Sequence, residues 1–467
     1  MEDPTVDKAR REKDSIGELD IPANVYWGIN TQRALMNFQI SGRTFPVEFI
    51  HALAQVKKAC LVANKETKLI AQDIFDAIGK AIDEVLDGKH LDQFPIDIFQ
   101  TGSGTQTNMN MNEVLSNRAN EILGHPRGSN SPVHPNNTVN MSQSSNDVIP
   151  TAMHVSVLSM FKTHLLPALA LLKDTLDKKI EEFSTIVKVG RTHLQDAVPI
   201  LLSTEFEVYR SQIETSISKD LAIATETLTV LPIGGTALGT GLNAPADFGE
   251  HAAKELRKMI GYDFSVNPVK AEGISSHKAI VRASATLRSI ALACMKMAND
   301  IRWMGSGPRA GLGELILPAN EPGSSIMPGK VNPTQSEALI QVCLQVIGND
   351  ATIAAAEGFG SVLDLNVAKP VMIVNLLDSI HLLSNGIDSF TKNCLAGIKA
   401  NEERIKKELD RSLMVVTRLS PFIGYDKAAE IAKTAHSTGK TIREVVLESG
   451  LKIDGDLDKI LDPTKMV

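Results

Sequence analysis

Four clusters of small hydrogen-bonding residues interrupt an otherwise apolar chain: TGSGTQTN at 101–108, VHPNNTVNMSQSSND at 133–147, GRTHLQD at 190–196 and GSSIMPGKVNP at 323–333. A single cluster of this kind is typical of a turn or a helix cap. Four of them are harder to explain in that way. Together they offer hydroxyl, amide, imidazole and ammonium groups, which can hold an anion and move protons if they converge. We therefore predict that they form a functional site.

The fourth cluster carries the signature of a helix start. Asn332 precedes Pro333, and Gln335 follows three residues after the asparagine. This order is typical of an N-cap, a proline at the first helical position and a capping-box partner. The helix should run into the segment 338–347, which is apolar nearly all round and therefore predicted to be buried in a bundle or an oligomer core. Its positive end, with Lys330 just outside it, predicts an anion site.

The same cluster also predicts a mobile loop, because Gly323 and Gly329 bracket two adjacent serines that could close over a ligand. It is not a Walker phosphate loop, since five residues separate the two glycines and Val331 follows the lysine. The glycines of GGTALGTGLN at 234–243 do not fit the dinucleotide fingerprint either. The histidines have no metal-ligand spacing, so we expect no metal site.

The third cluster leaves two interpretations open. His193 follows Thr192, and a lone histidine is more often structural than catalytic, so its spacing alone decides neither role. Arg191 and Asp196 could pair with each other. A similar choice concerns Glu337, which follows the fourth cluster. It would usually be a solvated surface acid, but it precedes a helix predicted to be buried, which favours a paired or functional role.

Length and composition bound the fold and exclude one class of partner. At 467 residues the chain allows about three domains, or one large helical body with smaller ends. The formal net charge is -7 and aromatic residues make up only 4%, so neither a basic face nor stacking aromatics indicate nucleic-acid binding. A net negative protein must concentrate positive charge locally to bind an anion, which predicts a small pocket.

The four cysteines indicate a reducing compartment. They are widely scattered and form no CxxC pair, which predicts packed, reduced thiols at Cys60, Cys294, Cys343 and Cys394. The opening residues MEDPTVDKARREKD lack the apolar stretch of a signal peptide, and no uninterrupted apolar run approaches membrane-spanning length. We therefore expect a cytoplasmic protein with no membrane partner.

The elements that must position the clusters are mostly helices. We predict a mixed, mostly helical N-terminal domain at 1–143, a central bundle of long helices at 144–400 and a small C-terminal helical domain at 401–467. Helices are predicted at 49–69, 73–86, 426–435 and 441–449. In the central part, one helical face is formed by Leu158, Leu165, Leu169, Leu172, Leu176 and Ile180.

The motifs resemble those of the fumarase/aspartase superfamily, whose signature loop is similar to GSSIMPGKVNP. The set GSGTQTNMN, SQSSND, GRTHLQDA, GTGLN and GSSIMPGKVNPTQSEAL resembles class II fumarases in particular, from about Asp14 to the C-terminal IGYDKAAEIAK. The resemblance implies a mainly α, three-domain fold whose long helices form a twenty-helix core in a homotetramer. Each active site would be built by three subunits and would need no metal or organic cofactor.

The resemblance also implies a reaction and the residues that carry it. The reaction is the reversible hydration of fumarate to (S)-malate in the tricarboxylic acid cycle, by anti addition and elimination through an aci-carboxylate carbanion. Ser324 would be the base that removes the C3 proton of malate, and His193, helped by Glu337, would handle the water or hydroxyl. The residues that match substrate-binding positions or segments are Ser103, Gly104, Thr105, Ser144, Ser145, Asn146, Thr192, Ser325, Lys330, Val331 and Asn332.

One departure from the family pattern concerns a secondary dicarboxylate site, which in many bacterial members contains an arginine shortly before the sequence HPND. Here Ser131 occupies the position of that arginine. The motif reads His134, Pro135, Asn136, Asn137, so both the basic and the acidic residue are missing. We expect these residues to shape a loop rather than to bind as they do in those relatives.

Two alternatives remain open. Aspartate ammonia-lyases share the fold and the SSIMP loop, but that branch typically has glutamine after the threonine of GRT and alanine before the loop lysine. This chain has His193 and Gly329 at those positions. A non-catalytic helical scaffold is possible on the same fold, although it gives no reason to keep Ser324, His193 and Lys330 together.

Overall fold

The structure is a computed structural model that describes residues 9–467. It is mainly helical, with 62% of the chain in helices. The strands of the described residues form five two-stranded ladders and no larger sheet. The mainly α fold class predicted from the sequence is therefore confirmed.

The helices of residues 9–467, numbered in chain order, are α1 Ile29–Asn37, α2 Val47–Glu66, α3 Gln72–Leu86, α4 Thr105–Ile122, α5 Ser145–Met160, α6 Leu166–Glu182, α7 Leu202–Thr215, α8 Leu221–Leu228, α9 Phe248–Ile260, α10 Lys270–Ser275, α11 Lys278–Met304, α12 Thr334–Gly360, α13 Lys369–Asn393, α14 Glu402–Asp410, α15 Ser420–Ile423, α16 Tyr425–Thr438, α17 Ile442–Glu448 and α18 Leu457–Ile460. Three π-helical turns join them, at Pro135–Val139, Phe161–Leu165 and Ser216–Asp220.

In four of the five ladders, a strand pairs with the next strand along the chain. Four ladders are antiparallel: β1 Ala9–Lys13 with β2 Glu18–Pro22, β3 Val187–Thr192 with β4 Gln195–Leu201, β7 Leu315–Ile316 with β10 Lys399–Ala400, and β8 Ser361–Val362 with β9 Leu365–Asn366. The fifth is parallel and joins β5 Val230–Leu231 to β6 Ser265–Val266.

The chain divides into two compact units. Within the described residues, the first unit comprises residues 9–167, Ser218–Ser289 and Gln345–Leu383, and the second comprises Ala168–Ile217, Ile290–Leu344 and Ser384–Val467. The clusters at 101–108 and 133–147 belong to the first unit. The clusters at 190–196 and 323–333 belong to the second.

The core of the first unit is centred on α2, which packs against α3, α5 and α9. Its inward face is apolar because Phe49, Leu53, Val56 and Cys60 recur at helical spacing, and all four are fully buried. The helices predicted at 49–69 and 73–86 are confirmed as α2 and α3, with ends that differ by no more than three residues.

The core of the second unit includes the β3–β4 hairpin, which packs against α14 and a 3₁₀ segment at Leu413–Leu419. A C-terminal cluster gathers apolar residues of that segment, α16, α17 and α18. The two helices predicted there are confirmed. The side chain of Thr441 and that of Glu444 form a capping box at the start of α17.

The long helices explain the apolar stretches of the sequence. On the predicted face of α5 and α6, Leu158, Leu165, Leu169, Leu172 and Leu176 are fully buried. By length and mean hydropathy alone, three stretches could cross a membrane: Ser145–Glu182, Thr334–Gly360 and Lys369–Gly397. None of them contains an uninterrupted apolar run of that length, because polar residues are scattered through each one. In the first and third, more than half of the most apolar 18-residue stretch is buried within the chain.

The helix α12 is the exception among them, because only 33% of its most apolar 18-residue stretch is buried. Leu339, Cys343 and Val346 form one buried stripe, whereas Leu344 is 57% exposed. The segment 338–347 is therefore not buried by this chain alone, as a bundle interior would require. The oligomer alternative remains a prediction.

All four cysteines are buried and free. Burial raises the pKa of each of the four thiols, which keeps them protonated at neutral pH. The prediction of packed, reduced thiols is confirmed.

Candidate active site

The first two clusters meet at the starts of two helices in the first unit. Thr105 is the first residue of α4 and Ser145 is the first residue of α5, and their hydroxyl oxygens lie 2.9 Å apart. The Ser103 hydroxyl lies 2.7 Å from that of Thr105. Helix N-termini carry unpaired N–H groups and a partial positive charge, so this row of hydroxyls lies where a carboxylate would be favoured.

The backbone around this row of hydroxyls is closely fitted. Gly104 caps α4 with a positive φ of 76°, and a Cβ there would lie 3.1 Å from Ile149. A Cβ on Gly102 would lie 1.4 Å from the carbonyl oxygen of Val367, and the Gly102 carbonyl accepts a hydrogen bond from the N–H of Lys369. Only glycine fits at residue 102, because the segment 367–369 passes directly against it.

The start of α5 is fixed by its own residues. The Ser144 hydroxyl accepts from the N–H of Asn146, and the Asp147 carboxylate accepts from the N–H of Ser144, which completes a capping box. The side chain of Asn146 donates to the carbonyl of Ala237. Sequence reasoning missed Asp147, although a serine followed three residues later by an acid is a recognisable cap signal.

The third cluster forms a tight hairpin in the second unit. Thr192 ends β3 and Gln195 begins β4, so His193 and Leu194 are the whole connection. Their φ values are 56° and 60°, which is the pattern of a type I′ turn. Glycine or asparagine usually occupies such positions, because left-handed φ costs other residues about 1 kcal/mol or more each. The turn leaves the side chain of His193 exposed.

A buried acid holds this hairpin. Glu314 is 1% exposed, accepts from Arg191 at 2.6 Å and lies 3.4 Å from the ammonium of Lys188. The contact between Arg191 and Asp196 is longer, at 4.0 Å, so the local pairing considered from sequence is the minor one. Glu314 was not singled out from sequence. Its only signal was an acid placed among apolar and glycine residues.

The fourth cluster is an exposed loop closed at its base. The N–H of Gly323 donates to the carbonyl of Lys330 at 2.8 Å, and the side chain of Asn332 donates to the carbonyl of Gly323 at 2.6 Å. Within the loop, the Ser324 hydroxyl oxygen accepts from the N–H groups of Ile326 and Met327, both at 3.2 Å. The side chains of Ser325, Lys330 and Val331 are exposed.

The predicted helix start is confirmed, but its cap is not. The helix α12 begins at Thr334, directly after Pro333. The capping box is wrong, because the amide of Asn332 closes the loop and the Gln335 oxygen instead accepts from Ser389. Closing the loop competes for the asparagine that would otherwise cap the helix. Glu337 lies exposed on the first turn.

Within residues 9–467, no hydrogen bond or ion pair joins the hairpin to the loop. The structure therefore brings together the residues of the first two clusters, and it places His193 and Ser324 on separate exposed segments of the second unit.

The residues that correspond to the secondary site of bacterial relatives form a turn. The ring Nδ1 of His134 accepts from the N–H groups of Asn136 and Asn137, at the start of the π-helical turn that contains Pro135. An accepting Nδ1 carries no proton, so the ring is in its neutral Nε2–H form. Burial lowers the pKa of His134, which favours the same form. That this segment shapes a loop rather than binds a dicarboxylate stays a prediction.

Comparison with known proteins extends over nearly the whole chain. Residues 17–348 match a family model described as Lyase, and residues 415–467 match one described as Fumarase C C-terminus. A class II fumarate hydratase from Nitrosomonas europaea is 50% identical over 461 residues, 99% of each chain. This decides the family. The chain belongs to the class II fumarate hydratases.

Two further relatives extend this result. A mitochondrial fumarate hydratase from Rhizopus oryzae is 50% identical and covers 98% of this chain and 93% of its own. The solved structure of a recombinant class II fumarase from Schistosoma mansoni superposes with a TM-score of 0.94 at 40% identity, covering 98% of this chain and 99% of that one. This likeness confirms the mainly α fumarase-type fold of the single chain. The three-domain division and the twenty-helix core stay predictions.

Proposed function

We propose that the chain catalyses the reversible hydration of fumarate to (S)-malate, as a hydro-lyase of the tricarboxylic acid cycle. Addition and elimination are anti, and an aci-carboxylate carbanion is the intermediate. Family membership supports this reaction. The structural observation that carries it is the hydrogen bond between Thr105 and Ser145, which joins two helix N-termini into one row of donors.

The residues that bind the dianion are those predicted from the sequence: Ser103, Gly104, Thr105, Ser144, Ser145, Asn146, Thr192, Ser325, Lys330, Val331 and Asn332. They are chiefly hydroxyl, amide and ammonium groups, which suit a carboxylate. Removing a proton beside a carboxylate loads that carboxylate with further negative charge. Lys330, Asn332 and the hydroxyls stabilise this charge as it develops, and losing one such donor costs about 3 kcal/mol of transition-state stabilisation.

Ser324 is the base that takes the C3 proton of malate. Its hydroxyl oxygen already accepts from the N–H groups of Ile326 and Met327, and two such donors favour negative charge on that oxygen. His193, helped by Glu337, handles the water or hydroxyl on the other side of the substrate. The type I′ turn supports this role, because it leaves the imidazole exposed.

The proposed assembly is a homotetramer with a twenty-helix core, in which three subunits contribute to each active site. The incomplete burial of α12 supports this assembly, since Leu344 and Phe359 are 57% and 89% exposed in the single chain. Mixing and reassembling His193→Asn and Ser324→Ala chains tests it. Shared sites would recover part of the activity in hybrids, because some sites would receive both native residues. No recovery would contradict shared sites.

Three further parts of the proposal concern the setting of the enzyme. The first is that no metal or organic cofactor is needed. The second is that the chain has three domains, at 1–143, 144–400 and 401–467, and the separate match of residues 415–467 supports the last of them.

The third is that the location is the cytoplasm. The mitochondrial relative from Rhizopus oryzae shows that the family is not confined to one compartment, so cell fractionation is the test.

The reaction is tested by following the ultraviolet absorbance of fumarate with purified protein, first in water and then with ammonium. We expect loss of fumarate in water alone, consumption of malate, and little reaction with aspartate or argininosuccinate. The variants His193→Asn and Ser324→Ala should each lower kcat by about 100-fold or more. Variants with native turnover would refute the site. Consumption of fumarate only with ammonium would favour aspartate ammonia-lyase instead.

A further inference from the structure

A buried carboxylate lies directly beside the proposed substrate-binding residues. Asp147 is fully buried, and its two oxygens accept from three backbone N–H groups, those of Ser144 at 2.9 Å, Gly234 at 3.1 Å and Thr236 at 2.8 Å. The first of these bonds is an ordinary capping-box contact. The other two reach a segment that is almost ninety residues away in the sequence.

That distant segment begins the GGTALGTGLN stretch, which the proposed mechanism does not use. Gly234 has a φ of 83°, and Thr236 is a buried non-glycine residue with a φ of 54°. The left-handed φ suits Gly234, but in a non-glycine residue such as Thr236 it persists only where surrounding contacts hold it. The bond from the N–H of Thr236 to Asp147 is a contact of this kind, and the bond from Gly234 fixes the same segment.

The segment in turn orients a substrate-binding side chain. The carbonyl of Ala237 accepts from the side-chain nitrogen of Asn146 at 2.9 Å. A carbonyl oxygen can only accept, so it selects the NH₂ end of the amide. This leaves the second N–H and the oxygen of Asn146 in a defined direction for a ligand. Asp147, Thr236, Ala237 and Asn146 thus form a closed ring of contacts at the start of α5.

A buried negative charge at this place would oppose the binding of a dianion unless it were balanced. Lys57 supplies the balance from α2. It is 2% exposed and donates to the side chains of Asn140 at 3.0 Å and Gln143 at 2.9 Å, in the turn that leads into α5. Burial raises the pKa of Asp147 to about 7 and lowers that of Lys57 to about 7, and the charge of each opposes the shift of the other.

We propose that Asp147 is a positioning residue for the substrate site, which fixes the segment 234–237 and, through the carbonyl of Ala237, the amide of Asn146. The proposal rests on the proposed role of Asn146 in binding the dicarboxylate. Asp147 itself touches no substrate. Its replacement misdirects a donor without removing it, which weakens the binding of the dicarboxylate.

The test is a double-mutant cycle in the full-length protein, with kcat and KM for fumarate measured for Asp147→Asn, Asn146→Ala and the double variant. We expect Asp147→Asn to lower kcat/KM by about tenfold or more, mainly through KM. The reason is that the amide of Asn146, which donates to the substrate carboxylate, is misplaced. If Asp147 acts through Asn146, the double variant will be no worse than Asn146→Ala alone. A purely structural cap would give independent, multiplicative effects.

The matched control is Glu444→Gln, which removes the acid of the capping box at α17 and lies outside the proposed site. It should leave kcat/KM unchanged. If Asp147→Asn does not fold, Asp147→Glu replaces it in the cycle, since it keeps the charge but moves the carboxylate. Native kcat/KM, or multiplicative effects, would overturn the proposal. A wild-type protein that does not consume fumarate would overturn the proposed function first, and this inference with it.

Discussion

Two regions use the same residue types in opposite settings. One is the hydroxyl row of the first unit, formed by Ser103, Thr105 and Ser145, and the other is the diserine loop of the second unit, residues 323–333. In the row, Ser103, Thr105 and Ser145 are linked by hydrogen bonds, and the glycines beside them lie against neighbouring atoms. In the loop, Ser325 and Lys330 are exposed, and a Cβ on Gly329 would meet nothing within 4 Å. The first region is closely packed, whereas the second is held mainly at its base.

The difference separates two requirements of the proposed reaction. Donors that are already ordered stabilise developing charge without reorganising during the reaction, which favours a rigid row. A group that must admit the substrate and then exclude water has to move, which favours a loop with few contacts outside itself. The same serines can serve either purpose, and the packing around them decides which.

The largest expected effect is that of Gly102→Ala in the rigid region. The new Cβ would lie 1.4 Å from the carbonyl oxygen of Val367, so the segment 367–369 or the row itself must shift. We expect a loss of more than about 4 kcal/mol of stability, because backbone atoms cannot be repacked as a flexible side chain can. Denaturant unfolding and activity would both show it. A variant with native stability and kcat/KM would contradict the rigid description.

The second effect should be confined to activity. Lys330→Met removes an exposed ammonium that the proposed mechanism places on the dianion. We expect kcat/KM to fall by about 100-fold, which corresponds to about 3 kcal/mol, with Tm unchanged. Lys427→Met, which changes an exposed lysine of α16, is the matched control and should leave both quantities unchanged. Equal activity in the two variants would remove Lys330 from the site.

This contrast was only partly predictable from the sequence. The residues of the row could be found because hydroxyls gather at helix starts, which is a local signal around Thr105 and Ser145. The contact of Gly102 with Val367 and the pairing of Glu314 with Arg191 join residues more than 100 positions apart, and no local pattern reports them.

The one local rule that failed did so at the loop. Asn332 and Gln335 have the order of a capping box, but Asn332 instead closes the loop against Gly323. A tertiary contact therefore overrode a local preference at the place where the sequence predicts a mobile loop. No local pattern reports the exposure of Leu344 on α12 either, a residue that the proposed tetramer would cover.

The third effect concerns the stability of the rigid region in acid. Asp97 lies just before the row and accepts from the N–H groups of Ser41, Gly42 and Phe99. Burial alone would raise the pKa of Asp97, but these bonds outweigh it and lower the pKa from 3.8 to about 2. Its contribution is therefore present above pH 3.8 and is lost as the pH falls through about 2.

Asp97→Asn should accordingly destabilise the protein by about 1–2 kcal/mol at pH 7, after allowing for solvent screening. The difference in Tm between variant and wild type should shrink as the pH is lowered from 5 towards 2. Asp454→Asn, at an exposed position in the C-terminal part, is the control and should show no such trend. A constant difference at every pH would mean that the charge of Asp97 is not what stabilises this segment.

The smallest effect should be that of Gly329→Ala in the loop, the same substitution as at residue 102 but in the opposite setting. Gly329 has a φ of 78° and open space around it, so the cost is only the left-handed backbone, about 1 kcal/mol. If the open or the closed conformation of the loop is destabilised by that amount, kcat/KM changes by about fivefold and Tm changes very little. Gly439→Ala matches it in φ and in open space, and should leave kcat/KM unchanged. If Gly329→Ala instead unfolded the protein as readily as Gly102→Ala, the loop would be as tightly packed as the row, and packing could not be what distinguishes binding from closure.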